Sequence, residues 1–352
     1  MEELIDRYGE ARLMLAAGGG VGLLFGMAAA HSRFCLRAAT VELADGHPGP
    51  RLAIWLLAFF SALALVQGAI LAGWLDVSSA RQLATTGSLS GAILGGLMFG
   101  CGMILARGCA SRLLVLSASG NLRAIVTGLV LTLVAQAALR GVLSPARHAL
   151  ATLWTIDGGQ ARRFIGPEAP LFPAFVALVG LCLLAALAFA ARVKLPRAEA
   201  VSALCVGGAV FLGWGLTYQI AQASFEVVGL QSVTFTGPSA DTLMALINTP
   251  NLPMSFGLGL VPGVFLGALI VAALRGEVRI QRFEPDTPME RYLIGGALMG
   301  FGSMLAGGCA VGAGMSGGAI LAVTAWVAVF CMWIGAMLTH RALRAWGTPK
   351  PA

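Results

Sequence analysis

The chain has 352 residues, of which 58% are apolar and only 11% charged, with a mean hydropathy of +0.84. A soluble domain carries roughly a quarter charged residues, so a soluble globular fold is excluded. The net charge of +7 does not point to nucleic acid, because the arginines lie between apolar runs and form no solvated stripe.

In chain order, runs long and apolar enough to cross a bilayer as helices fall at 13–34, 52–75, 91–106, 122–141, 172–191, 200–220, 256–274, 291–307 and 318–339. The first follows an acidic, mixed-charge start (Glu2, Glu3, Asp6, Arg7, Glu10), unlike the basic start of a signal peptide, and reads as a retained span. The expectation is one all-α transmembrane domain over 1–352, with about nine transmembrane helices. The seven cysteines follow no CxxC or paired-loop spacing, so neither a zinc site nor a disulfide framework is expected. No cofactor or metal is called for. Cys182, Cys205 and Cys331 read as small apolar residues within helices.

An internal match recurs at an offset of 200 residues. Residues 95–110 read GGLMFGCGMILARGCA and 295–310 read GGALMGFGSMLAGGCA, identical at nine positions. Self-similarity of this kind marks repeat-built transporters. Gly22, Gly26 and Cys35 form a looser third copy. A fourth copy, around Gly213 and Gly215, places Gln222 where the others have cysteine.

Charge bias suggests how the halves are related. Arg107, Arg112 and Arg123 follow the first motif, whereas 307–323 holds no Lys or Arg; conversely 275–291 holds four arginines and 75–91 only Arg81. Opposite bias in matched loops predicts inverted halves, approximately 13–141 and 200–339, linked by 142–199. It also predicts a periplasmic N-terminus and a cytoplasmic C-terminus. Segment 142–171, with Arg147, Arg162 and Arg163, runs against this assignment.

Glycines at Gly18 to Gly26 and Gly257 to Gly267 are expected to bring helices close together. The runs at 107–112 and 307–318 are expected to end helices instead, since glycine costs about 1 kcal/mol against alanine in a helix interior. Broken backbone at membrane depth survives only inside protein or along a cavity. Helices broken at Gly108 and Gly308 would bring Cys109 and Cys309 to a central passage from opposite sides, with Cys35 as a third station. The interiors of the runs hold no Asp, Glu, Lys or His, so a carboxylate relay is not visible. Backbone N–H groups at helix breaks, with Arg33, Arg107, Arg112 and Ser111 beside them, attract anions. Thiols add a soft partner. The combination suits a small sulfur oxyanion. For Arg123 a purely orienting role is expected.

Three motifs carry a family resemblance: Gly-Leu-Leu-Phe-Gly to Ser-Arg-Phe-Cys (22–35), Leu-Ala-Arg-Gly-Cys-Ala-Ser-Arg (105–112) followed by Gly-Asn-Leu-Arg (120–123), and Leu-Ala-Gly-Gly-Cys (305–309). Together they resemble the YeeE/YedE family of bacterial inner-membrane sulfur transport proteins. The resemblance implies an hourglass-like, pseudo-symmetric bundle with short re-entrant helices. It implies a non-enzymatic importer of a small sulfur anion, most readily thiosulfate, handed inward by Cys35, Cys109 and Cys309. It further implies a TusA-like sulfur carrier as a cytoplasmic partner, and the Gly-Asn-Leu-Arg tail leans toward the branch linked to selenium or other sulfur species. Two alternatives remain open: a permease for selenium or other sulfur compounds, and a membrane sulfurtransferase relaying sulfur as a cysteine persulfide. A soft-metal permease is disfavoured by the scattered Met299, Met304 and Met315.

Overall fold

A computed structural model describes residues 2–226, 228–248, 254–282 and 288–345. The helices, in order, are α1 (Glu2–Tyr8), α2 (Glu10–Ser32), α3 (Leu36–Ala44), α4 (Pro50–Leu71), α5 (Arg81–Ala84), α6 (Leu89–Leu105), α7 (Ala110–Ala118), α8 (Leu122–Arg140), α9 (Ser144–Ala151), α10 (Phe172–Arg192), α11 (Arg197–Ala223), α12 (Thr236–Asn248), α13 (Phe256–Leu274) and α14 (Met289–Leu305). A π-helix (Ala310–Gly317) and α15 (Val323–Ala345) follow. Among the described residues nine segments are long and apolar enough to cross a membrane, so the chain is an all-α, multi-pass membrane protein. All nine expected runs are helical in their main part. The run from 52 stops as helix at Leu71, leaving Trp74 exposed, and the run from 318 becomes α-helical only at Val323.

One pattern recurs four times: a long helix, a break, a short helix, and another long helix. The four units are α2–α3–α4, α6–α7–α8, α11–α12–α13, and α14–π-helix–α15. Helix α10 stands outside them, packed on α4, with Leu178, Leu181 and Leu184 exposed. Helices α6 and α14 have 17 residues each, about 26 Å, and so fall just short of a 30 Å hydrocarbon core. The break and short helix complete those spans.

Glycine lets the long helices touch backbone to backbone. A Cβ on Gly18, Gly22 or Gly26 would strike the carbonyls of Phe256, Leu260 and Val264, so α2 and α13 run parallel in near contact. Helices α6 and α14 cross antiparallel and reciprocally. Gly102 faces Gly295 while Gly95 faces Gly302, with an added Cβ at Gly302 falling 2.7 Å from the Gly95 carbonyl. The repeat glycines at 95, 102, 295 and 302 therefore sit inside helices and serve this crossing.

Both ends are tied by side chains. At the end carrying the C-termini of α2, α6, α13 and α15, Glu42 of α3 accepts the N–H groups of Gly49, Arg51 and Leu52 at the start of α4, at 2.9–3.1 Å. Asp45, just past α3, accepts from His340 at 2.9 Å and pairs with Arg344, both on α15. At the opposite end a two-residue ribbon pairs β1 (Gly87–Ser88) with β2 (Thr155–Ile156). There Arg162, buried, donates to the Thr85 carbonyl at 2.6 Å and to Thr324 Oγ1 at 2.7 Å, and Arg147 donates to the Ala138 carbonyl at 2.8 Å. These arginines of the dissenting segment are structural tethers.

Candidate functional site

The three motif cysteines occupy one local geometry. Each long helix before them ends in a left-handed residue: Arg33 (φ 55°), Arg107 (φ 53°) and Gly307 (φ 81°). The next N–H reaches back five residues, Phe34 to Ala29 (3.1 Å), Gly108 to Met103 (3.1 Å) and Gly308 to Ser303 (2.8 Å), which is a Schellman ending. One residue later the backbone is extended at Cys35, Cys109 and Cys309, and each cysteine is the N-cap of the short helix that follows. All three thiols thus sit at the positive end of a helix dipole. The conformation also explains why arginine and glycine share the third-last motif position: the turn needs positive φ, which glycine adopts freely and arginine only under strain.

Cys35 is 9% exposed, Cys109 and Cys309 1% each, and all are free thiols. The Cys35 and Cys109 thiols lie near enough to act on each other. Cys109 Sγ also shares a hydrogen bond of 3.3 Å with Ser111 Oγ, and Ser111 is buried. Arg112 faces both thiols and Arg37 faces Cys35. Cys309 Sγ accepts from the Gly312 N–H at 3.5 Å within its own turn. Because α6 and α14 are antiparallel, Cys109 and Cys309 lie toward opposite ends of the bundle. The expectation set Cys109 and Cys309 on a central passage from opposite sides with Cys35 as a third station; Cys35 lies near Cys109. Between the ends, Phe25 contacts both Phe34 and Phe235, with ring centroids 6.3 and 5.1 Å apart.

The segment after Cys309 is wound as a π-helix, a form concentrated at functional sites. It is pinned by Ser316 Oγ donating to the Val233 carbonyl (2.6 Å), Trp214 Nε1 to the Ser316 carbonyl (3.3 Å) and Gln67 Nε2 to the Ala319 carbonyl (2.5 Å). Gly308 is buried against it, and Gly108 is buried beside Leu113.

The remaining residues singled out from sequence are dispersed. Arg33 is exposed and pairs with Glu277 at 3.8 Å; Arg107 and Arg112 are half-buried. Gln222 is exposed in the last turn of α11, and the break of that unit follows it at 224–235, so Phe235 and Thr236 precede and open α12 where the other units have cysteine. Gly120 (φ 89°) ends α7, and Asn121 caps α8 by accepting the Ala124 N–H at 3.0 Å. Asn121 also donates to Gln281 Oε1 at 2.7 Å, which docks segment 279–281 on the turn. Arg37 and Tyr292 were not singled out, and Arg123 was given only an orienting role; Arg37 comes two residues after Cys35, as Arg112 comes three after Cys109. Among the described residues no group of three or more His, Cys, Asp or Glu could hold a metal.

Comparison with known proteins adds an independent line. The sequence profile of the family described as "Sulphur transport" matches residues 31–338. A thiosulfate transporter of Spirochaeta thermophila is 29% identical over 340 positions, covering 90% of this chain and 94% of its own length. A thiosulfate transporter of Escherichia coli is 32% identical over 135 residues, which span 38% of this chain and about a third (36%) of the relative.

Proposed function

The chain belongs to the sulphur transport family, a family of membrane transporters and not of enzymes, and on that premise we propose that it imports thiosulfate through the bacterial inner membrane along a path marked by Cys309, Cys109 and Cys35. The observation that carries the reading is the threefold cysteine N-cap, with two of the thiols near each other and near Arg112. Thiosulfate has a soft terminal sulfur and a hard oxyanion end. Thiols meet the first by S–H···S contact, and N-terminal amides and guanidinium groups meet the second.

The antiparallel, reciprocal crossing of α6 and α14 supports a pseudo-twofold axis in the membrane plane relating halves 13–141 and 200–339. Parallel pairing of α6 with α15 and of α14 with α8 supports it too, since the axis exchanges those pairs. Arg33, Arg107, Arg123, Arg275, Arg291 and Arg344 gather at one end, while Arg147 and Arg162 at the other are tethers. The positive-inside rule then sets the basic end, with the C-terminus, in the cytoplasm and the N-terminus in the periplasm. Cys309 is the periplasmic station and the Cys35–Cys109 pair the cytoplasmic one. A TusA-like carrier is the partner that would take the sulfur at that end.

Uptake of doubly labelled thiosulfate tests the proposal. Cys109→Ala and Cys309→Ala each abolish uptake while folded protein accumulates normally, and Cys109→Ser shows whether soft sulfur is needed beyond a donor. Wild-type rates in both alanine variants would refute the path. The adjacent Cys35 and Cys109 favour one second reading, persulfide relay. There a thiolate attacks the outer sulfur of thiosulfate, the S–S bond breaks, and sulfite leaves with the electron pair. Transport delivers thiosulfate with its S–S bond intact; relay separates the two sulfurs, leaving the outer one on a cysteine and releasing the other as sulfite. Gly120 and Asn121 have structural duties, so the Gly-Asn-Leu-Arg tail gives no support to a selenium cargo.

A further inference from the structure

The basic end holds, among the described residues, more partly buried arginines than carboxylates paired with them. Among the described residues Arg33 pairs with Glu277 and Arg344 with Asp45, but no ion pair joins Arg37, Arg112 or Arg123 to a carboxylate. Arg37 and Arg123 are half-buried, and the Nε of each is fully covered with no hydrogen-bond partner among the described residues. Arg37 lies within electrostatic range of the Cys35 thiol and of Arg107, Arg123 and Tyr292. Arg123 donates from Nη1 to the Tyr292 hydroxyl at 3.1 Å, and its guanidinium carbon lies 5.0 Å from that ring's centroid. Arg37 lies in the first turn of α3 and Arg123 in the first turn of α8, so two helix dipoles add to the positive field.

An arginine that serves only to orient a membrane protein needs to reach the lipid–water boundary, where its nitrogens stay hydrated. Covered guanidinium nitrogens without partners carry a desolvation cost that an anion would offset. Arg37 and Arg123 fit the second description.

We propose that Arg37, Arg123 and the Tyr292 hydroxyl form an anion-binding station separate from the cysteine pair, which holds a tetrahedral sulfur oxyanion by its oxygens on the cytoplasmic side of Cys35 and Cys109. The proposal rests on the transport reading above but is separable from it. Guanidinium N–H and phenol O–H recognise oxygen, whereas the thiols recognise terminal sulfur. Sulfate, which lacks that sulfur, therefore reports on oxygen recognition and not on the thiols.

The test is equilibrium binding of radiolabelled sulfate, and separately thiosulfate, to the full-length protein in lipid nanodiscs in chloride-free buffer. The Arg37→Gln/Arg123→Gln variant, checked for monodispersity and melting temperature, loses sulfate affinity by about tenfold or more. Tyr292→Phe, which keeps the ring under Arg123, loses about threefold. Cys35→Ala/Cys109→Ala binds sulfate like wild type but no longer prefers thiosulfate. Sulfate binding unchanged in the arginine variant, or absent from wild type, overturns the station. If the double variant does not fold, unchanged affinity in Tyr292→Phe overturns it. Thiosulfate preference surviving in the cysteine variant refutes the cysteine path instead and leaves the station standing.

Discussion

Gly108 and Gly308 occupy the same motif position, yet their surroundings predict opposite tolerance of a methyl group. A Cβ on Gly308 would lie 2.8 Å from the Ala313 backbone nitrogen and 3.2 Å from the Gly312 carbonyl carbon. Both belong to the π-helix, whose other side is held by Val233, Trp214 and Gln67, so it has nowhere to retreat. A Cβ on Gly108 would meet first the Leu113 Cδ2, at 3.3 Å, the mobile end of a side chain. Gly308→Ala therefore costs about 1–3 kcal/mol of overpacking and displaces the turn that holds Cys309, whereas Gly108→Ala costs under about 1 kcal/mol. Neither residue has positive φ, so steric space alone separates them. Thermal unfolding in detergent and labelled-thiosulfate uptake, run side by side, should show Gly308→Ala less stable and slow, and Gly108→Ala near wild type. Equal behaviour of the two, or a worse Gly108→Ala, would refute the claim that the π-helix is rigidly backed.

Two further outcomes concern the scaffold. The hydrogen bond from His340, with Arg344 beside it, holds the Asp45 carboxyl below the usual carboxylate range. A depressed folded-state pKa stabilises above the unfolded value of about 3.9 and loses that stabilisation as pH falls through the folded value. Asp45→Asn should thus melt earlier than wild type at pH 7, with the gap closing below about pH 4; a gap independent of pH refutes the clamp between α3 and α15. Gly22→Leu inserts a side chain where the Leu260 carbonyl lies and should abolish accumulation of folded protein, costing well over the 1–3 kcal/mol of ordinary overpacking. Normal expression of that variant would mean that the α2–α13 contact is looser than described.

The spans were legible because apolar run length answers directly to membrane thickness, and the breaks because arginine or glycine before glycine and cysteine cannot continue a helix cheaply. The glycines were legible only in part. Those of α2 and α13 pack helices as expected, but Gly95, Gly102, Gly295 and Gly302 of the repeat also pack helices, and the break comes later, at Arg107–Gly108 and Gly307–Gly308. A short membrane motif looks alike in either role. The fourth motif copy, which falls in the α11–α12–α13 unit, was misaligned because α11 runs on to Ala223 and its loop is long, so a glycine pair was a false anchor for Gln222. The Cys35–Cys109 approach joins residues 74 positions apart and follows from tertiary packing, on which spacing is silent. Arg123 looked like topology from sequence; only the covered Nε and the Tyr292 contact separate it from an orienting arginine.

The uneven use of one turn bears on how net uptake is driven. Arg33 and Arg107 hold positive φ at the basic end, at a cost of about 1–2 kcal/mol each, where Gly307 makes the same turn at the other end without it. Strain that persists is evidence of use, and what those residues add beyond the turn is positive charge at the basic end. That charge lowers the energy of an anion held there but performs no net work over a cycle. A dianion entering against an inside-negative potential of 100 mV needs about 4.6 kcal/mol. On the proposed path, removal of the anion in the cytoplasm would supply that work. A holding station at the basic end, followed by rapid chemical consumption, is the arrangement under which a cysteine-lined path yields net import.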